Sequence, residues 1–242
     1  MSIYAVSDLH GRYDLWMQIK DFLKEDDVLY VLGDCADRGK HGWDIIKEVY
    51  EDPRFIYIKG NHEEMFTEAM RGDRTLCFYN GGKPTYKAWR YKEGAPMEWY
   101  RRLKDLPLEQ VYVNTSGKKI IMCHAGYTPM GQQLWGDDYL WDRTHFDEEW
   151  DTNYDDTIIV HGHTPIPYMG RYLCGEILQD LGHSYYAPGV FWYSRSKGDG
   201  QLHKVNIDCG AVFLGQTAIL NLDTLEQTIF FGEDYKSLGV EK

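Results

Sequence analysis

Val28-Leu29-Tyr30-Val31-Leu32-Gly33-Asp34-Cys35-Ala36-Asp37-Arg38-Gly39 is a short apolar run that stops in glycine, two carboxylates and an arginine. Residues 28–32 read as a buried strand. A carboxylate at the end of such a strand is costly to hold unless a positive charge neutralises it. Asp37, three residues on, adds to that cost, and Arg38 offsets only one charge. A metal ion on Asp34 accounts for the pattern, and it requires further ligands elsewhere in the chain.

The surrounding sequence repeats one unit. Residues 3–7 are apolar and end in Asp8-Leu9-His10-Gly11, and an amphipathic stretch follows with Leu15, Trp16, Ile19, Phe22 and Leu23 at helical spacing. Residues 42–51 read as a second helix. Phe55-Ile56-Tyr57-Ile58 is a third strand, ending in Gly60-Asn61-His62-Glu63-Glu64. Strand, polar loop and helix in repetition predict a parallel sheet with its ligand site at the C-terminal strand ends. Residues 63–72 and 96–105 predict helices separated by a break at Asn80-Gly81-Gly82. Residues 111–113 and 119–122 predict a hairpin around Asn114-Thr115-Ser116-Gly117. The second hairpin strand runs into Cys123-His124-Ala125-Gly126, and the apolar run 157–160 into His161-Gly162-His163-Thr164-Pro165. Residues 202–208 and 212–231 read as antiparallel strands forming a second sheet packed on the first. The stretch 185–193 is aromatic. No linker or repeat divides the chain, so 1–242 is read as one domain.

The composition bounds the function. The 242 residues are 43% hydrophobic and 15% aromatic, as expected of a folded protein. The net charge of −12 disfavours nucleic acid duplexes and anionic membranes unless a basic patch exists, and no run of Lys and Arg is long enough to make one. No signal peptide or membrane span is apparent. The five cysteines form no CxxC pair. The expectation is a reduced, cytoplasmic protein.

Five strand ends carry ligand chemistry: Asp8/His10, Asp34/Asp37, Asn61/His62, His124 and His161/His163. Carboxylate, amide and imidazole without thiolate suit manganese, iron or zinc. The ligands are too many for one tetrahedral ion, whereas two ions sharing a carboxylate use them all. Such a pair, about 3.5–4 Å apart, is the usual device for hydrolysing phosphate esters. The D-x-H spacing at 8–10 places both side chains on one side of an extended segment. Arg38 suits a pair of phosphate oxygens. His62 is placed to protonate a leaving alkoxide, with Asp37 orienting its imidazole. His161 is either a neighbour of the metal shell or a plain strand residue. His41, His145, His183 and His203 are read as surface or loop residues, and Cys35 as packing.

These motifs resemble those of the phosphoprotein-phosphatase-type, calcineurin-like metallophosphoesterases. The family's G-D-x-H-G, G-D-x-x-D-R-G, G-N-H-E, H-A-G and G-H-T elements read here as Ser7–Gly11, Gly33–Gly39, Gly60–Glu63, His124–Gly126 and Gly162–Thr164. Weaker echoes are Asn80-Gly81-Gly82, Leu106-Pro107, Trp141-Asp142-Arg143 and Ile207-Asp208-Cys209-Gly210-Ala211. The resemblance implies an α/β fold of two mixed β-sheets sandwiched between helices. It implies that Asp8 and His10 hold a first divalent ion and that Asp34 bridges. Asn61, His124 and His163 then hold the second ion. Arg38 and Arg143 bind phosphate, and His62 with Asp37 is the general acid. Manganese is the expected metal. Ser7 replaces a family glycine, which is expected to matter little because the position is not a ligand.

The resulting expectation is a phosphomonoesterase acting on phosphoserine or phosphothreonine in proteins. A diadenosine polyphosphate hydrolase, using the aromatic stretch to grip adenine, is the alternative. A phospho-binding scaffold that has lost catalysis is disfavoured, because no ligand or acid position is degraded.

Overall fold

Alternation at period two puts an apolar residue on both faces of the first strands, so they must be covered on both sides. The computed structural model describes residues 1–127, 136–143, 157–166, 192–195 and 201–235. Strand β1 (Ile3–Val6) pairs in parallel with β2 (Val28–Val31), Ile3 opposite Val28, and β2 with β3 (Phe55–Tyr57), Leu29 opposite Phe55. Ile3, Ala5, Tyr30 and Leu32 face a second sheet, whereas Val6, Leu29 and Val31 face helices. Helices α1 (Tyr13–Phe22), α2 (Gly42–Glu51) and α3 (Asn61–Arg71) close that helical side, burying Leu15, Trp16 and Ile19, Trp43 and Ile46, and Phe66.

The second sheet is built from β4 (Glu109–Val113), β5 (Lys119–Cys123), β6 (Thr157–His161), β7 (Trp192–Arg195) and β8 (Leu202–Asn206), in the order β4-β5-β6-β8-β7. Strands β5, β6 and β8 are parallel, and β4 and β7 are antiparallel edges. Ile120, Met122, Ile158, Val160 and Val205 pack between the sheets against Ala5, Leu32 and Leu220. On the outer face, Tyr139 of α7 (Gly136–Trp141) packs near Ile121, Cys123 and Ile159.

The C-terminal strands depart from the expected second sheet. Strands β9 (Gln216–Asn221) and β10 (Gln227–Phe231) extend the first sheet antiparallel, giving β10-β9-β1-β2-β3, while β8 joins the second sheet beside β6. Local alternation cannot distinguish these outcomes, because partner choice is a tertiary matter.

Two helices went unread between residues 72 and 96: α4 (Thr75–Tyr79) and α5 (Lys83–Lys92). Asn80 is the C-cap of α4, Gly82 is the N-cap of α5 and Pro84 lies in its first turn, so the expected break at 80–82 is present and separates these two helices. Only Thr85, Tyr86 and Trp89 of α5 are buried. Helix α6 (Glu98–Lys104) follows, within the expected 96–105. Cys174 and the aromatic stretch 185–191 lie outside the described residues. Among the described residues, no helix is long and apolar enough to cross a membrane.

Candidate metal centre

The loops after β1 and β2 run side by side, tied by Asp8 N–H to Gly33 O (3.3 Å), His10 N–H to Asp34 O (2.8 Å) and Gly11 N–H to Cys35 O (3.0 Å). The segment 8–10 is not extended as expected: Asp8 has φ 56° and His10 φ 45°. Asp34, Asp37, Arg38 and His163 also have positive φ, so six of the eight non-glycine residues with this conformation among the described residues belong to the site. Each costs on the order of 1 kcal/mol. Close packing enforces the turn. A Cβ on Gly33 would meet the Gly60 backbone at 2.5 Å, and one on Gly60 would meet Asp34 Oδ1 at 2.3 Å.

Glu63 holds this pair of loops. Its carboxylate is fully buried and accepts three backbone N–H groups, from Asp34 (2.7 Å), Gly60 (3.0 Å) and Ala36 (3.1 Å). Sequence reasoning quoted Glu63 within a motif but gave it no role. The N-terminus of α3 adds the His62 N–H, which donates to Asp34 Oδ1 (3.0 Å). A helix N-terminus suits this carboxylate.

The two oxygens of Asp34 look in different directions. Oδ2 lies 3.6 Å from His10 Nε2, and Oδ1 lies 3.4 Å from His124 Nε2. On the second side, Asn61 Oδ1, His124 Nε2 and His163 Nδ1 form a tight triangle of 2.9–3.1 Å. Donor atoms therefore converge as two groups, His10–Asp34–His62 and Asp34–His124–His163, with Asp34 in both. Tautomers follow from the outer partners. His10 Nδ1–H donates to Ala36 O (3.0 Å) and His124 Nδ1–H to Leu32 O (2.8 Å), leaving each Nε2 lone pair facing inward. Asp8 Oδ1, 3.8 Å from His10 Nε2, and His163 Nε2 are buried without a hydrogen bond.

His62 Nδ1 meets Asp37 Oδ2 at 2.9 Å. Burial lowers the His62 imidazole and pushes the Asp37 carboxyl up to about 8, against the pull of Thr85 and Arg38. The Asp37 N–H donates to Thr85 Oγ1 (2.9 Å), which fixes that loop from α5. Arg38 donates to Nε2 of His10 (2.7 Å) and of His62 (3.1 Å), and its guanidinium lies 5.7 Å over the Phe213 ring of α8 (Ala211–Leu214). Arg143 donates to His163 O and Thr164 Oγ1, both at 3.3 Å.

Two expectations change here, and one open alternative is decided. Ser7 is buried and its hydroxyl hydrogen-bonds Asp8 Oδ2, which also accepts the His163 N–H (2.9 Å). It therefore sits closer to the chemistry than its place outside the ligand motif implied. His161 is buried in β6, its pKa lowered by burial to about 3, and is absent from both donor groups. His203 is buried in β8 rather than at the surface, whereas His41 is exposed and pairs with Asp44. His145 and His183 lie outside the described residues. Cys35 is fully buried, and burial holds its thiol protonated.

Asp208, noted in the sequence only within a weaker echo and given no role there, lies at the site. It follows β8 as the other ligand-type residues follow their strands, beside the end of β6, where Ile207 N–H donates to His161 O (2.8 Å). Its Oδ1 accepts the Gly210 N–H (2.9 Å), while its Oδ2 is buried without a partner. Burial first and the nearby Asp8 second push its carboxyl well up. Its position at a strand end was the available signal.

Divalent ions fit this donor set. Burial pushes Asp34 up and His10 and His163 down, so the low-dielectric site disfavours both the anions and the imidazolium cations. Orphaned carboxylate and imidazole atoms at one locus call for a cation other than a proton.

Two packed sheets carrying two adjoining groups of metal-ligand side chains at the ends of their parallel strands define a metal-dependent enzyme site. The chain belongs to the calcineurin-like phosphoesterase family, whose model matches residues 1–192. It is similar to serine/threonine-protein phosphatase 2 of Escherichia coli, at 25% identity over 91% of this chain and 92% of the relative. It is also similar to a symmetrical bis(5'-nucleosyl)-tetraphosphatase of Salmonella paratyphi A, at 28% identity over 53% of this chain and 44% of the relative. The chain thus matches less than half the length of that tetraphosphatase. A solved structure of a putative diadenosine tetraphosphatase shares the fold, with a TM-score of 0.58 and 14% identity over 95% of this chain and 93% of that one.

Proposed function

We propose that this protein hydrolyses phosphate monoesters, with phosphoserine and phosphothreonine in proteins as its substrates. The observation that carries the phosphoesterase reading is the division of Asp34 between two donor groups, Oδ2 toward His10 and Oδ1 toward His124. Asp8, His10 and Asp34 would hold one ion, and Asp34, Asn61, His124 and His163 the other. Bound there, the ions would supply charge for the phosphate oxygens and acidify an attacking water. Manganese, ahead of iron or zinc, and a cytoplasmic setting belong to the same reading. They rest on the ligand types and on four buried, free cysteines.

The chain's own groups do the rest. Arg38 and Arg143 flank the site from the two strand-end layers and grip the phosphate oxygens. The Arg38 fork that now donates to His10 and His62 turns its N–H groups to the phosphate when substrate enters. With Arg38 turned to the phosphate, Nε2 of His62, oriented through Nδ1 by Asp37, is free to carry a proton and give it to the leaving alkoxide. The preference for phosphoproteins is supported by near full-length similarity to a protein phosphatase, against under half of the tetraphosphatase.

Metal-loaded protein assayed in parallel on p-nitrophenyl phosphate, a phosphothreonine peptide and diadenosine tetraphosphate tests the substrate. Turnover of the peptide is expected, and preference for the dinucleotide overturns the reading. His62→Asn should retain both ions yet slow esters with poor leaving groups by about 10²–10⁴-fold. Unchanged rates in that variant refute the acid role.

A further inference from the structure

We propose that the exposed face of α5, together with Arg74 at the start of α4, is a docking strip for the acidic flank of a phosphorylated protein substrate. This rests on the protein-phosphatase reading of the site and extends it to substrate selection.

The charge distribution is the first observation. Residues 71–104 hold nine of the chain's 26 lysines and arginines but only three of its 38 acidic residues. That segment is formally +6, so the remaining chain is −18. No two cations of residues 71–92 adjoin in sequence, which is why no basic run is legible. Helix geometry gathers them. Lys83, Lys87 and Arg90 are exposed at i, i+4 and i+7 on α5, while Thr85, Tyr86 and Trp89 point inward. Arg74 joins them, its guanidinium 5.9 Å over the Tyr86 ring, whose hydroxyl accepts from Arg90 (3.3 Å).

These four cations have no acidic partner among the described residues, in contrast to their neighbours. Lys92 pairs with Asp44, and Glu93 takes Lys47. Surface lysines on a protein of this net charge ordinarily find carboxylates, and an unpaired cluster draws anions by focusing the local field.

Position links the strip to the chemistry. Gly81 O accepts the Arg38 N–H (3.0 Å), and Thr85 Oγ1 accepts the Asp37 N–H (2.9 Å). The strip therefore starts at the turn that carries the phosphate-gripping arginine and the acid's orienter. From Lys83 to Arg90 it runs about 10 Å, at about 1.5 Å per helical residue. An extended peptide covers that length in about three residues. A phosphopeptide seated on Arg38 can thus lay acidic side chains a few residues away along Lys83, Lys87 and Arg90.

The test compares metal-loaded wild type with K83E/K87E/R90E and K83Q/K87Q/R90Q. The substrates are p-nitrophenyl phosphate and phosphothreonine peptides with neutral flanks or with Asp and Glu on either side. Wild type should show a roughly tenfold lower KM for an acidic peptide, the scale of three exposed charge pairs acting together. That preference should vanish at about 1 M salt, where the screening length falls to about 3 Å. It should shrink in the glutamine variant and disappear in the glutamate variant. Turnover of p-nitrophenyl phosphate and the melting temperature should stay unchanged, because all three side chains are exposed. Equal KM for neutral and acidic peptides in wild type, or a preference that survives charge reversal, overturns the proposal. So does a rise in p-nitrophenyl phosphate turnover on charge reversal, which assigns the strip to a segment of the chain itself. A gel-shift arm with duplex DNA covers the other polyanion: binding lost in the variants without any peptide preference also overturns it. Turnover of p-nitrophenyl phosphate with none on any phosphopeptide sinks the protein-phosphatase reading and the strip with it. Peptide turnover without acidic preference sinks the strip alone.

Discussion

Asp208 Oδ2 is a carboxylate oxygen inside the protein with no hydrogen-bond partner among the described residues, and its acidity is governed by burial and by Asp8. A buried anion of this kind destabilises the metal-free fold and is relieved by a cation. Asp208→Asn keeps an acceptor for the Gly210 N–H and removes the charge. The metal-free variant should therefore melt higher than metal-free wild type, while its affinity for the first ion falls about 10–100-fold, the usual worth of a group acting on a ligand shell. Calorimetric metal titration and a melt of the metal-free forms check both. A lower melting temperature with unchanged affinity makes Asp208 a plain loop-forming residue. Ser7 belongs to the same scale: a hydroxyl on Asp8 Oδ2 leaves Oδ1 as the free oxygen, which a glycine at this position does not enforce.

Between elements, Glu48 is the clearest tie. From α2 its carboxylate accepts Tyr13 Oη–H, Trp16 Nε1–H and a Lys20 ammonium proton, all from α1. Burial alone would raise the Glu48 carboxyl, but those three donors, Lys20 foremost, bring it below its ordinary 4.5. A depressed carboxylate contributes stability above its unfolded pKa and loses it as pH falls through the folded one. Glu48→Gln should cost about 1–2 kcal/mol at neutral pH, discounted for the group's partial exposure. Denaturant melts should show the gap between wild type and variant full at pH 7 and closing as the pH drops below about 4.5. A gap that widens in acid contradicts the assignment. Helix α3 works at the same scale, since its first turn supplies the proposed ligand Asn61, the proposed acid His62 and the loop support Glu63 in one rigid piece.

Across the whole molecule, the site joins the two sheets. Asp8 and Asp34 come from the first, His124 and His163 from the second, so ions held by the proposed ligands would bind only the assembled sandwich. Free manganese at about a hundred times its dissociation constant should add about 2.7 kcal/mol per ion, or roughly 5–10 °C in a chain of this size. Thermal melts with chelator and with manganese measure this, and an unchanged melting temperature argues against ligands contributed by both sheets. The sequence alone determined the βαβ beginning and singled out Asp8, His10, Asp34, Asn61, His62, His124 and His163, which the fold brings together. Strand periodicity and polar strand ends are local signals that survive without a partner. Tertiary structure alone decided how residues 202–231 divide between the sheets, because an alternating strand does not encode its neighbour. It also decided the left-handed turns at Asp8 and Asp34, the latter lying where Gly33 and Gly60 pack too closely for a Cβ. Asp208 reached the site in the same way, through the pairing of β8 beside β6. The strand end Val31-Leu32-Gly33-Asp34 could be read as metal-binding from burial cost alone, but the second sheet decided which oxygen of Asp34 faces which group.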